Sequence, residues 1–252
     1  MRLNKFLKSV GPVIAMAMAA GVAGCDGAKF SVNGTKGVPL AELDLSGKAP
    51  EEIALLGPDI VRITPGEDFT IALEGDTQAK ERMRFLLQDG RLSVMRDASM
   101  MQDNNRATVT VTMPAPKRLV LAGSGNIFAE HLARTSEVTI VGSGMIETLG
   151  IDVDSLEAEI AGSGSYRASG VAKVLDLSIA GSGDADLAEL KVANAEISIA
   201  GSGDASFASD GTVKAKIMGS GNVTVRGSAT CKVQSLGSGS LRCERGAAQS
   251  TE

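Results

Sequence analysis

The sequence predicts an all-β fold: a single-stranded parallel β-helix, or β-solenoid, with coils of about 19 residues that turn at Gly-Ser-Gly corners. Three observations predict it. Gly-Ser-Gly recurs seven times, beginning at Gly123, Gly142, Gly162, Gly181, Gly201, Gly219 and Gly237, in steps of 18 to 20 residues. That period is too short for a propeller blade or a helical-hairpin repeat. It suits one coil of a solenoid, a unit that buries its apolar face only by stacking on its neighbours. Apolar residues also alternate with polar ones on both sides of each corner, at the same offsets in every copy. Finally, aromatics are 3% of the 252 residues and Trp is absent, so the core has to be built from small and branched aliphatic side chains.

Taken in chain order, residues 1–25 differ in kind from the rest. Arg2, Lys5 and Lys8 make a basic start, Val10 to Val22 are apolar and small, and Val22-Ala23-Gly24-Cys25 closes the segment. The stretch resembles a bacterial lipoprotein signal peptide, and its apolar run is too short for a permanent membrane span. The Val-Ala-Gly-Cys ending resembles a lipobox, which implies cleavage before Cys25 and lipidation of its thiol. Two or three acyl chains hold a protein on a membrane where one does so only marginally.

Residues 26–39, with Gly27, Asn33, Gly34 and Gly37, read as a polar tether. Residues 40–116 alternate as strands do but lack the repeat, and are expected to form irregular N-terminal coils and a cap. Within them, Asp59 to Ile63 and Phe69 to Leu73 flank the turn Thr64-Pro65-Gly66-Glu67-Asp68, and Leu92 to Met95 follows Asp89-Gly90. Ala79 to Gln88 fits a short helix or a strand. Met100 to Arg106 reads as a polar loop and Ala107 to Met113 as the strand entering the regular coils, which occupy 117–245. A polar tail, 246–252, follows.

Alignment on the first Gly of each corner exposes the interior. Two residues before it stand Leu121, Ile140, Ile160, Ile179, Ile199, Ile217 and then Ser235. Four after it stand Ile127, Ile146, Tyr166, Ala185, Ala205, Val223 and Leu241. Both strands of a coil therefore send one face inward. The corner calls for Gly, because a tight bend demands positive φ or leaves no space for a Cβ beside the next coil. Residues six before and six after a corner are equally far from the bend and should face one another across a flat coil. In the last coil this pair is Cys231 and Cys243, the two cysteines besides Cys25, and in an exported chain they should form a disulfide.

Several chemistries are set aside. The occupants three residues beyond each second Gly include Phe128, Glu147 and Arg167 and never Gly, so no dinucleotide fingerprint exists, and no Gly-Lys-Ser/Thr follows. The corner serines, Ser124 through Ser238, are a repeated set beside a single histidine, His131, and make poor candidates for a unique nucleophile. His131 itself reads as a surface or capping residue. Asp184, Asp186 and Asp204 follow adjacent corners, where turn hydrogen bonding is the simpler reading and Ca²⁺ binding the alternative. Glu137, Glu157, Asp176 and Glu196 read as a solvated row. No catalytic, cofactor or metal site is assigned. Cleavage before Cys25 would remove three basic side chains and deepen the formal charge from −5 to −8, which excludes nucleic acid as a natural partner.

The lipobox, Met113-Pro114 entering the first regular coil, and the repeated Ala-Gly-Ser-Gly-(Asp/Asn) resemble the bacterial family named putative auto-transporter adhesin, head GIN domain, over roughly residues 40–245. The resemblance implies a β-helical domain of the cell envelope with no accepted catalytic residues. Glu244 to Glu252 leave no room for a translocating β-barrel, so self-translocation is not expected. The expectation is a lipid-anchored, periplasm-facing envelope lipoprotein, on the inner or outer membrane, whose β-helix is a non-enzymatic binding or scaffolding surface for a glycan or another envelope protein. A polysaccharide lyase or hydrolase, or a purely structural lipoprotein, are the alternatives.

Overall fold

Alternation at constant offsets becomes parallel stacking in a computed structural model of the chain, which describes residues 37–97 and 105–244. The signal peptide with Cys25, residues 26–36 of the tether and the tail lie outside the described residues. The regular coils are built from β7 (Arg118–Gly123), β8 (Asn126–Ala129), β9 (Thr135–Gly142), β10 (Met145–Gly162), β11 (Ser165–Gly181), β12 (Asp184–Gly201), β13 (Ala205–Gly219), β14 (Asn222–Arg226), β15 (Thr230–Gly237) and β16 (Ser240–Glu244). Every neighbouring pair among them is parallel, and the first glycines of all seven corners pair in register from Gly123 to Gly237. This confirms the β-solenoid, of about seven turns.

The register also stacks the interior residues. Leu121, Ile140, Ile160, Ile179, Ile199 and Ile217 form one row, each at most 2% exposed, and Ile127, Ile146, Tyr166, Ala185, Ala205 and Val223 a second, each at most 3% exposed. Burying one such aliphatic side chain stabilises the fold by about 1.5–3 kcal/mol. Because each coil holds only a thin slice of core, this energy depends on the coil above and below. On the side away from the Gly-Ser-Gly corner, β10 and β11 bend without breaking, near Gly150 and Gly170, where the pairing register shifts by one residue.

The N-terminal region departs from chain order. β1 (Glu52–Leu56) and β2 (Ile60–Pro65) form a coil that pairs with β7 and β8 on one side. On its other side lie β5 (Arg91–Arg96) and β6 (Thr108–Met113), which come later in the sequence. The chain lays down this coil, runs to the end of the stack, and returns over it to begin β7. β3 (Thr70–Glu74) and β4 (Met83–Gln88) then close that end by pairing antiparallel with β6 and β5. The turn at Thr64 to Asp68 therefore joins strands that do not pair, since β6 lies between β2 and β3.

The segment left open between helix and strand is both. Asp76 caps α1 (Thr77–Arg82) by accepting the Ala79 N–H at 2.7 Å, and from Met83 the chain extends into β4 with Met83 and Phe85 buried. Asp89 and Gly90, at φ of 53° and 73°, then make the two-residue hairpin turn to β5. Val38, assigned to the tether from sequence, exchanges backbone hydrogen bonds with Phe85 at 2.8 Å, so the domain begins a little before residue 40.

Candidate functional site

Each corner is held by backbone bonds between coils. The N–H groups of Ser143, Ser163, Ser182, Ser202 and Ser220 donate to the carbonyl of the first corner glycine one coil earlier, at 2.9–3.0 Å. The serine side chains point into solvent. They form an exposed hydroxyl row, and the one histidine, His131, lies off that row in the segment after β8, where its Nε2 sits 3.2 Å from the Met113 carbonyl oxygen.

The three aspartates after the corners also serve the stack. Where Met145 and Asp184 donate their N–H to the glycine carbonyls of Gly125 and Gly164, Asp204 donates instead to Asp184 Oδ1 at 3.1 Å. Asn222 repeats the pattern, giving its backbone N–H to Asp204 Oδ1 at 2.8 Å and its side-chain amide to the same oxygen at 3.1 Å. Ser240 Oγ continues the ladder to Asn222 Oδ1 at 2.9 Å, and Ser206 Oγ donates to Asp186 at 3.4 Å. The result is a shallow hollow of about 300 Å³ lined by Asp184, Asp186, Asp204, Ser206, Asn222 and Thr224. Among the described residues no group of three His, Cys, Asp or Glu is arranged to hold a metal ion. The carboxylates act here as hydrogen-bond acceptors for the coil above.

Charged side chains are laid out by the same register. Arg91, Glu52, Arg118 and Glu137 alternate in sign along successive strands and pair at 2.6 Å, 3.4 Å and 2.8 Å. Burial works against the charged form of Arg118, and its two glutamate partners more than compensate, raising its pKa. Glu157, Asp176 and Glu196 continue the row. A second ladder near the far bend joins Arg134 to Asp152, Lys173 to Asp154 and Lys191 to Asp210.

Two constellations were not read from sequence. Asp59 and Arg96 form a buried ion pair, with Arg96 Nε and Nη2 each 2.6 Å from an Asp59 oxygen, while the Ala107 N–H donates to Asp59 at 2.8 Å and Arg96 reaches the Asn105 carbonyl. The pair joins the corner of the β1–β2 coil to the end of β5. No spacing in the sequence signals it, because the two coils are neighbours only through the reversed order. The other is Tyr166, fully buried, whose hydroxyl lies 2.9 Å from Thr148 Oγ1. Burial pushes its phenol pKa well up, and the hydrogen bond offsets only part of that. The signal existed: Thr148 and Tyr166 are the hydroxyl-bearing residues of adjacent coils in otherwise apolar rows, and buried hydroxyls seek partners.

The predicted disulfide is present. Cys231 and Cys243 are joined, with their Cα atoms 6.7 Å apart, across the last coil. Among the described residues no helix is long and apolar enough to cross a membrane.

Comparison with known proteins agrees with this architecture. A structure described as a putative adhesin from Bacteroides fragilis NCTC 9343 superposes with a TM-score of 0.73 at 19% identity, covering 78% of this chain and 93% of that one. A putative lipid binding protein from Parabacteroides distasonis ATCC 8503 gives 0.61 at 20% identity over 78% and 93%, and a putative adhesin from Parabacteroides merdae ATCC 43184 gives 0.63 at 19% over 78% and 92%. At such identities the likeness establishes the fold alone. No curated protein matches the chain. The model of one family, however, matches residues 49–229, from the strands of the irregular coils to the corner before β15, and on that match the chain belongs to the family described as putative auto-transporter adhesin, head GIN domain.

Proposed function

We propose that this protein is a lipid-anchored lipoprotein of the cell envelope, tethered through Cys25 and facing the periplasm, whose solenoid is a non-enzymatic binding or scaffolding surface. The family and its structural neighbours carry adhesin names, which agrees with a surface role at the envelope. One observation carries the non-enzymatic part: the polar groups of the regular coils recur row upon row and are used in bonds between coils, as Asp184 and Asp204 are. Catalysis needs a unique constellation, with a nucleophile or acid placed beside a base and a site for the reacting atom. A surface of repeated rows favours recognition of an extended, repetitive ligand, and a glycan or another envelope protein is the partner class we assign.

Incubation of the purified protein with a glycan array and with envelope extract tests the reading. Saturable retention of a glycan or an envelope protein is the expected result. Turnover of a polysaccharide would establish the lyase or hydrolase instead, and neither retention nor turnover would leave a purely structural lipoprotein.

A further inference from the structure

On the strands that run up to the corners, the outward face of the later coils carries its charge in two blocks. Five residues before the corner, Asp176, Glu196, Lys214 and Lys232 stack in register on β11, β12, β13 and β15. Two residues nearer the corner the column reads Ser178, Ser198, Lys216 and Gln234, and beside the corner it reads Ala180, Ala200, Met218 and Leu236. Lys214, Lys216 and Lys232 are exposed, and among the described residues no acid pairs with them. Met218 and Leu236 are 48% and 75% exposed. Acids and small apolar residues thus occupy β11 and β12, and lysines and large apolar residues occupy β13 and β15.

We propose that this face docks a second copy of the chain, the two sheets packed face to face about a twofold axis that runs parallel to the strands, between β12 and β13. Such an axis reverses the order of the coils and keeps each column opposite itself. Lys214 then faces the partner's Glu196, and Lys232 faces the partner's Asp176. Lys216 faces the partner's Ser198, and Gln234 faces the partner's Ser178. Met218 meets the partner's Ala200 and Leu236 the partner's Ala180, a large side chain against a small one at each step.

Charge fixes the position of the axis. Shifted by half a coil toward either end, it sets Glu196 or Lys214 against its own copy. Shifted by a whole coil, it sets Asp176 against the partner's Glu196, or Lys214 against the partner's Lys232. Only between β12 and β13 does each charge of the column meet its opposite. Val174, Asn194, Thr212 and Thr230, two residues farther from the corner, are uncharged and add no repulsion. At about 4.8 Å per strand and 3.3 Å per residue the face measures roughly 19 Å by 23 Å, so about 900 Å² is covered in all. That is small for a specific interface, so the dimer is weak, dissociating at about 10–100 μM, and is sensitive to salt. It is independent of the glycan or envelope protein proposed above.

Sedimentation equilibrium of the purified protein at low salt, in a density-matched detergent that accommodates the anchor proposed at Cys25, tests this. Lys232→Glu and Asp176→Lys each bring like charges together twice per dimer and should each weaken it about tenfold. The double variant exchanges the two charges and should return to within about threefold of the parent protein. Within one chain Asp176 and Lys232 lie three coils apart, about 14 Å, too far to pair, so recovery can come only from contact between copies. Both positions are exposed, and circular dichroism with an intact Cys231–Cys243 bond reports that the variants are folded. Recovery in the double variant establishes the interface. A protein that stays monomeric up to about 1 mM overturns it, whether or not the lysines hold phosphatidylglycerol vesicles instead. So does a dimer that neither single variant weakens, or one that the double variant fails to restore.

Discussion

Gly162 has almost no freedom at its corner. Its φ is +120°, and a Cβ there would stand 2.5 Å from the carbonyl oxygen of Gly142, a backbone atom held in the ladder. Both the conformation and the space demand glycine. The second glycine, Gly164, is required by space alone: its Cβ would meet Ile140 Cγ2 at 2.6 Å and the Gly144 oxygen at 2.8 Å. Gly162→Ala is thus expected to cost about 3 kcal/mol or more, from strain at positive φ and a clash that no side-chain rotation relieves. Urea unfolding measures it, and a loss below about 0.5 kcal/mol would mean that the stack opens to admit the methyl. The buried pair is the other sensitive residue-scale feature. Asp59→Ala leaves the Arg96 guanidinium and the Ala107 N–H without their carboxylate and should destabilise by about 3–5 kcal/mol. Adding Arg96→Met should recover part of that loss, because the uncompensated charge, more than the missing contact, is what costs. A double variant no more stable than Asp59→Ala would contradict this.

At the scale of elements, the ladder at the far bend is sensitive to pH. Asp210 accepts the Ser228 backbone N–H, with Lys191 and the Ser228 hydroxyl adding to it, and these bonds hold its pKa below the ordinary aspartate value. A depressed folded pKa contributes stability that is present above the unfolded value of about 4 and is lost as pH falls through the folded one. The protein should therefore melt higher than Asp210→Asn near neutrality, with the gap closing as pH falls below the ordinary aspartate value, and a gap independent of pH would exclude the linkage. Asp210 is exposed, so the gap should also shrink in salt. The last coil shows a different kind of element energetics. Its disulfide closes a 12-residue separation, for which loop entropy suggests about 3 kcal/mol. Since among the described residues β15 and β16 pair with a neighbouring coil on one side only, replacing both cysteines with serine should quicken amide exchange in residues 230–244 while leaving β10 to β12 protected. Equal loosening along the whole stack would argue against nearest-neighbour stability. That pairing was legible in the sequence because the distance from a corner fixes who faces whom in a flat coil.

For the whole molecule, the lipid anchor proposed at Cys25 gives the most direct prediction. Cys25→Ser in the intact precursor should move the protein from the membrane to the soluble fraction and abolish acyl labelling, whereas continued membrane retention without label would locate the attachment elsewhere. Over the length of the solenoid, sequence and structure agree where the repeat is regular and part where it fails. The seven corners, the inward rows from Leu121 to Ile217, the face-to-face cysteines and the use of glycine were all determined by the sequence, because a fixed period with fixed offsets leaves one parallel register that buries every apolar row. Only the tertiary structure decided that β1 and β2 lie between β5–β6 and β7–β8, that β6 separates β2 from β3, and that Asp59 meets Arg96. Alternation tells a strand which face is buried and says nothing of which strand lies beside it. Without a repeat to impose the neighbour, pairing was settled by the need to cover both sides of the first coil and to close the stack with antiparallel strands. The same distinction holds for Asp184 and Asp204, whose spacing allowed a cation site or a turn bond, and whose oxygens are directed to the next coil's N–H groups by the stacking itself.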